Sequence, residues 1–344
     1  MSRVLVLDGN AASRTWALTP EAERAVLDAA PPGWEVRVMR SATSSDGDGS
    51  ARPADEVLDA IADAEIYIGF GISRVAFGAA RRLRYVHSLA AGVRGALFPA
   101  MVESDVLLTN SAGIHAVPIA ETVVGGVLAL LRGYHLAMQL QREARWDKHP
   151  FVGESSPLRE LGDCRALIIG AGGIGTEVAR RMRAFGTACV GVRRRPALGA
   201  PEGFERVVGP DDLERELAEA DIVVLAAPFT PQTDGLLDRA RLARVRKGAV
   251  IVNVGRGALV DEQALADAVA AGHLRGAVLD VFQTEPLPPG SPLWSLPSVL
   301  VLPHVSPVSP GKFWERQLAL FLDNWRRYVA GEPLRNLVDK RAGY

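Results

Sequence analysis

Three residues late in the chain have side chains suited to acid–base and anion chemistry: Arg256, Glu285 and His304. Arg256 stands in Val252-Asn253-Val254-Gly255-Arg256-Gly257. Its guanidinium is permanently charged and forked, so it can hold a carboxylate and a neighbouring carbonyl oxygen in one orientation. His304 follows Leu302-Pro303; an imidazole titrates near neutrality and can give up a proton in one direction of a reaction and recover it in the other. Glu285, in Phe282-Gln283-Thr284-Glu285-Pro286, would stabilise the imidazolium as its partner. A cation for a carboxylate, a proton donor for a carbonyl oxygen and a hydride source are what reduction of a 2-keto acid requires. Singly, each residue has an ordinary reading as a solvated arginine, a loop charge or a structural histidine; their order and company are the signal.

The hydride source is implied upstream. Leu167-Ile168-Ile169-Gly170-Ala171-Gly172-Gly173-Ile174-Gly175 is an apolar strand running into G-x-G-x-x-G and then a helix. Gly170 suits the tight turn, Gly172 the approach of a pyrophosphate, and Gly175 close helix–strand packing. The helix N-terminus offers open N–H groups to phosphates. A site for NAD normally carries an acidic residue about 20 positions on, for the ribose 2′-hydroxyl. Here the next strand ends in Arg193-Arg194-Arg195-Pro196, and the first carboxylate is Glu202. Guanidinium groups fit a 2′-phosphate, so NADP(H) is expected to be preferred, with NAD(H) possible.

Short β-branched runs alternating with helical patterns must position these groups. Strands are predicted at 3–8, 35–39, 66–70, 85–88 and 106–110, with helices at 20–30, 54–62 and 75–81. Segment 41–53 is polar and rich in Gly and Ser, and reads as a mobile loop with nothing to bury. A long helical pattern runs from 118 to about 146, apolar on several faces through Val123, Val124, Val127, Leu128, Leu130 and Leu131. That suits a subunit interface, with a core helix as the alternative. Six further strands are predicted at 165–170, 189–192, 222–226, 249–254, 276–281 and 298–302, with helices at 174–183, 211–219 and 261–270. One amphipathic helix follows Pro310 and stops at Gly331 and Pro333.

With the glycine turn, the three later motifs resemble the D-isomer-specific 2-hydroxyacid dehydrogenases, and the likeness is most specific from 166 to 304. The resemblance gives the same roles to Arg256, Glu285 and His304, with Arg256 and His304 also touching substrate. It implies that Asp280 meets the nicotinamide carboxamide, and that Ala226, Ala227 and Pro228 line the adenosine side. Thr233 falls on the phosphate side, and Gly173, Ile174, Val254 and Gly255 complete the cofactor contacts. Ala91 and Gly92, in Leu89-Ala90-Ala91-Gly92-Val93, resemble the loop whose N–H groups receive the substrate carboxylate. Ala120-Glu121 opens the long helix as in the family, and 142–146 resembles part of a dimerisation arm. The pattern departs at Gly255, where the family often has Ala or a β-branched residue. It departs again at Val305-Ser306-Pro307, where small residues are usual, and at the arginine run, which resembles the NADP-using glyoxylate/hydroxypyruvate reductase branch.

The expected architecture is α/β: two flavodoxin- or Rossmann-like doubly wound parallel-sheet domains flanking a cleft, closing on substrate. Residues 1–111 completed by 306–344 would form the substrate domain, and 112–305 the dinucleotide domain. The expected reaction is reduction of a small 2-keto acid to the D-2-hydroxy acid. D-3-phosphoglycerate dehydrogenase-like activity is an alternative, although those enzymes often carry a further C-terminal domain. A dinucleotide-sensing, corepressor-like scaffold is another, and a methyltransferase would leave the Arg–Glu–His set unexplained.

Composition narrows the remaining choices. Across 344 residues, 39 Lys+Arg face 40 Asp+Glu for a net charge of -1, which removes the electrostatic footprint of a nucleic-acid binder. Lysine stands only at 148, 247, 312 and 340, and the other basic residues are arginine. Cys164 and Cys189 match no metal-ligand or redox spacing and read as buried small hydrophobes, so no metal is expected. His135, His149 and His273 have no partner motif; His87 and His115 read as structural. No signal peptide or membrane span is visible, and a cytoplasmic homodimer joined through 118–146 is expected.

Overall fold

The computed structural model describes residues 3–45, 49, 51–153 and 156–343. The chain divides into two compact units, 1–114 with 309–344, and 115–308.

In the first unit the strands are β1 (Arg3–Asp8), β2 (Trp34–Val38), β3 (Ser44–Ser45), β4 (Ala51–Arg52), β5 (Ile66–Gly69), β6 (Tyr85–Ser88) and β7 (Leu107–Thr109). Its helices are α1 (Pro20–Asp28), α2 (Asp55–Ile61), α3 (Arg74–Ala79), α4 (Pro99–Glu103) and the C-terminal helix Phe313–Ala330. Five strands pair in parallel in the order β2-β1-β5-β6-β7, a doubly wound arrangement. Alternate residues of β1 serve opposite faces. Val4 and Val6 pack with Val57, Ile61 and Met101, whereas Leu5 and Leu7 pack with Val26, Phe321 and Trp325. Both faces are therefore covered, as a parallel sheet requires. Thr19 caps α1 by accepting from the Ala22 N–H, and Gly331 closes the C-terminal helix in the left-handed region.

The polar stretch 41–53 departs from expectation. Thr43 is buried and its hydroxyl donates to the Asp8 carboxylate, while β3 and β4 pair antiparallel and Ala51 is buried. The physical reason is Asp8: a fully buried carboxyl needs donors, and Thr43 and Tyr67 supply them. Positions 46–48 and 50 of that stretch lie outside the described residues.

The second unit holds β8 (Arg165–Ile169), β9 (Ala188–Val192), β10 (Arg206–Val208), β11 (Ile222–Leu225), β12 (Val250–Asn253), β13 (Gly276–Leu279) and β14 (Val299–Val301). Its helices are α5 (Ala116–Leu131), α6 (Tyr134–Arg142), α7 (His149–Val152), α8 (Gly173–Ala184), α9 (Leu213–Glu219), α10 (Arg239–Arg244) and α11 (Glu262–Ala270). All seven strands are parallel in the order β10-β9-β8-β11-β12-β13-β14, and the order reverses between β8 and β11. Six strands were expected; β10 has three half-buried residues, too few to show a period.

The long helix expected over 118–146 is two helices. Gly133 adopts φ 68°, and α5 and α6 meet at a 68° bend. The apolar faces of α5 lie in the core of its own unit: Val123, Val127, Leu130 and Leu131 are buried against α8 and the sheet, with Val278 beneath. One layer covers most of that surface, so α5 is the core helix of the alternative reading. Among the described residues, no single helix is long and apolar enough to cross a membrane.

Candidate active site

The glycine turn sits at the C-terminal end of β8, beside the end of β11, where strand order reverses. Open α/β sheets bind ligands at such a switch point. Gly170 has φ 110°, and a Cβ there would lie 2.6 Å from the Ala226 carbonyl. A Cβ on Gly175 would come within 2.0 Å of the Gly170 oxygen. These two positions are closed to any side chain. Gly172, by contrast, is exposed before α8 with open space where a Cβ would stand, and no side chain caps that helix. Gly173 and Ile174 then begin α8, so an exposed backbone and the open N–H groups of a three-turn helix face one place. A pyrophosphate fits this cradle.

The three arginines after β9 divide into two kinds. Arg193 is half-buried and donates from Nη2 to the Gly199 oxygen at 2.5 Å, which ties down the 196–199 turn. Arg194 and Arg195 are exposed. Beyond β11, Ala227 is buried and Pro228 exposed. The Thr233 hydroxyl donates to the Pro228 oxygen at 2.8 Å and accepts from the Thr230 N–H at 2.7 Å. Its one proton is spent inside the loop, so here Thr233 shapes the loop instead of offering a phosphate a donor.

Arg256 is presented by a clamp that sequence reasoning passed over. Asn253, buried at the end of β12, donates to the Arg256 oxygen at 2.9 Å and accepts from the Gly255 N–H at 3.1 Å. Asparagine was visible in the motif, but its role needs both contacts to be seen. The clamp holds Arg256 extended and half-buried (φ -142°, ψ 146°), with Nη1 2.8 Å from the Gly255 oxygen. Gly255, a departure from the family pattern, also has a spatial reason. A Cβ there would lie 2.8 Å from both the Ala227 oxygen and Leu259 Cδ1. Gly257 packs directly on the backbone of Phe282, where a Cβ would stand 1.9 Å from the carbonyl carbon. The arginine turn and the Glu285 loop are thus in contact through backbone.

Glu285 joins two elements. Oε1 accepts the Phe282 N–H at 3.0 Å, and Oε2 lies 2.8 Å from His304 Nδ1. The imidazole therefore donates Nδ1–H to the carboxylate, which fixes its orientation and leaves Nε2 for other chemistry. Roughly half of the His304 side chain (47 %) is exposed, enough for a reactant to reach it. Its backbone has φ 54°, a left-handed conformation uncommon outside glycine.

Asp280 helps to hold His304 there. This carboxylate, buried at the end of β13, accepts the Val305 N–H at 2.8 Å and the Ser306 N–H at 3.1 Å, and takes the Ser306 hydroxyl as well. Burial pushes its pKa up, against the pull of the Ser306 and Val305 donors. Ser306, another departure from the family pattern, is therefore part of the anchor behind His304. β12, β13 and β14 are parallel neighbours, so Arg256, the Glu285 loop and His304 all leave the same end of one sheet.

The remaining histidines and cysteines have structural surroundings. His87 is fully buried against Thr109 Oγ1 at 2.7 Å, and burial lowers its pKa to about 4. His115 Nδ1 lies 3.2 Å from the Pro307 oxygen. Both thiols are buried, and burial pushes that of Cys189 up to about 12, far from a nucleophilic thiolate. Among the described residues, no group of three or more His, Cys, Asp or Glu could hold a metal ion. Ala91 and Gly92 follow β6 in the first unit, Ala91 exposed and Gly92 half-buried.

Fold and site together define a Rossmann-type oxidoreductase built for a nicotinamide dinucleotide. Residues 124–306 match the model of the D-isomer specific 2-hydroxyacid dehydrogenase NAD binding domain. The glyoxylate/hydroxypyruvate reductase B of Pectobacterium carotovorum subsp. carotovorum is 32% identical over 286 residues, covering 81% of this chain and 87% of that one. The D-3-phosphoglycerate dehydrogenase of Mycobacterium bovis is 34% identical over 294 residues, 84% of this chain but 54% of that protein, so the chain spans about half the length of that relative. Among solved structures, a D-isomer specific 2-hydroxyacid dehydrogenase from Xanthobacter autotrophicus Py2 in complex with NADPH and MES superposes with a TM-score of 0.79. It is 31% identical, and the alignment covers 100% of both chains. The chain belongs to the D-isomer specific 2-hydroxyacid dehydrogenase family.

Proposed function

We propose that the protein reduces a small 2-keto acid, of the size of glyoxylate or hydroxypyruvate, to the D-2-hydroxy acid, with NADPH preferred over NADH. The observation that carries this reading is the 2.8 Å pair of His304 Nδ1 and Glu285 Oε2 at the sheet edge that also presents Arg256. When bound in the cradle of Gly170, Gly172 and Gly175, the nicotinamide cofactor supplies the hydride. Arg256 binds the substrate carboxylate and carbonyl oxygen and withdraws charge from the carbonyl. His304 gives the Nε2 proton to that oxygen, and Glu285 balances the imidazolium before the transfer. The N–H groups of Ala91 and Gly92 receive the substrate carboxylate. Arg194 and Arg195 favour the 2′-phosphate, a reading in keeping with the NADPH held by the solved relative.

The test follows absorbance at 340 nm over a panel of 2-keto acids with each reduced cofactor. Turnover of the smallest acids with a higher kcat/KM for NADPH supports the proposal. Preference for NADH would reduce the arginines to surface charge. Binding of NADPH without oxidation by any acid would favour a dinucleotide-sensing scaffold. Best activity with phosphohydroxypyruvate would favour a D-3-phosphoglycerate dehydrogenase-like enzyme, the name carried by the Mycobacterium bovis relative. We further propose a cytoplasmic homodimer, its contact supplied by the segment that begins at α6.

A further inference from the structure

The loop that follows β6 has an unusual distribution of hydrogen bonds. Its successive carbonyls are each claimed from behind: the Leu89 oxygen accepts from Gln317 Nε2 at 2.7 Å, the Ala90 oxygen from the Ser111 N–H at 3.1 Å, and the Ala91 oxygen from Asn110 Nδ2 at 2.8 Å. The early N–H groups are claimed too, Leu89 by the Gly69 oxygen at 2.7 Å and Ala90 by Ser88 Oγ at 3.2 Å. Among the described residues, no acceptor takes the N–H groups of Ala91, Gly92 or Val93. Carbonyls drawn into the protein turn the following amides outward, which is the polarity an anion needs.

Gln317 holds the end of this arrangement that lies deepest. It projects from the C-terminal helix, 228 positions away from Leu89 in sequence, and is fully buried. Its Oε1 lies 2.8 Å from the hydroxyl of buried Ser111, which also reaches the Ser88 oxygen at 2.7 Å. Because the Leu89 oxygen can only accept, the amide orientation is fixed: the nitrogen faces Leu89 and the oxygen faces Ser111. The bond donated to Leu89 makes the buried amide a support for the loop, while its oxygen shares the one Ser111 hydroxyl proton with the Ser88 carbonyl; losing the donor would leave the Leu89 oxygen unmet. Gln317 also lies beside the buried His87 imidazole, so its amide belongs to a buried polar cluster that backs the loop.

From this geometry we infer that Gln317 is a positioning residue for substrate affinity, anchoring the start of the loop through the Leu89 carbonyl so that the Ala91 and Gly92 amides, turned outward by the bonds on the Ala90 and Ala91 carbonyls, meet the substrate carboxylate, with Ser111 as its support. The inference rests on the reading of the 91–92 loop as the carboxylate site. It touches neither the nicotinamide cradle nor the proton donor, so its signature falls on the KM of the acid.

The experiment uses the 2-keto acid with the best kcat/KM in the panel. Gln317→Met, which keeps the volume and loses the donor, raises the KM of that acid at least tenfold and raises the Ki of oxalate in parallel. The KM of NADPH stays within twofold and the kcat within about threefold. Ser111→Ala produces the same pattern at lower amplitude, because Gln317 keeps its bond to Leu89. A merely structural role would lower the folded fraction, and with it kcat, while KM and Ki stayed put; that result, or a native KM in both variants, overturns the inference. Gly92→Pro, which deletes one open amide, separates the two levels. If it raises KM while Gln317→Met does not, the positioning role alone fails. If Gly92→Pro leaves KM native, the carboxylate loop itself is misassigned, and a wild-type protein inert toward the whole panel removes both.

Discussion

At the residue scale the proposed chemistry rests on His304 being held in a conformation it would not choose. Its positive φ is held from two sides, by Glu285 on Nδ1 and by Asp280 on the two amides that follow. In the proposed reaction neither support could replace the proton that Nε2 would give. His304→Gln is therefore expected to lower kcat by about 10²–10⁴-fold, the usual worth of a positioned general acid. NADPH affinity, measured by fluorescence titration, should stay native because the glycine turn is untouched. A variant with near-native turnover would end the assignment of His304 as proton donor. Thr233 marks the opposite case, a hydroxyl of the right type at the right place whose proton is already committed to the Pro228 oxygen.

At the element scale α5 shows how packing decides what a pattern means. Its apolar residues spread over more than one face, which from sequence suits either an interface or a core, and the sheet under it settles the choice. Two neighbouring glycines read out that environment. A Cβ on Gly126 would stand 2.6 Å from Val278 Cγ1, whereas one on Gly125 would meet nothing within 4 Å. Gly126→Ala should cost about 1–3 kcal/mol through overpacking. Gly125→Ala should stabilise by up to about 1 kcal/mol, since alanine is the better helix former at an open site. Chemical denaturation of the two variants checks the signs, and equal effects would mean that α5 does not pack against β13 as described. The glycine turn needs no such arbitration, because the strand before it and the helix after it are both strongly patterned.

At the scale of the whole molecule the burial of α5 moves the expected subunit contact along the chain. The exposed apolar side chains nearby are Tyr134 (57 %) and Met138 (53 %) on α6 and Trp146 (100 %) beyond it. A tryptophan in full contact with water is costly enough to suggest a covered partner surface. If the protein is a homodimer, sedimentation should show twice the chain mass, and Met138→Arg with Trp146→Arg should return it to the monomer. Wild-type protein that sediments as a monomer at micromolar concentration would dismiss the segment as an interface.

The sequence by itself determined the elements whose signals are local. The buried strands and the glycine turn announce themselves within a few residues, because apolar periodicity and turn chemistry act at short range, and the Arg–Glu–His set is legible through three short motifs taken in order. Tertiary structure decided whatever depends on partners far along the chain. Thr43 is buried because it meets Asp8, which Tyr67 also serves, Asn253 becomes a clamp only once the turn folds back on it, and Gln317 reaches Leu89 across 228 positions. A hydrogen bond carries no trace in the spacing of its two ends when the intervening chain is a whole domain, so such residues read as ordinary polar positions until the fold brings them together.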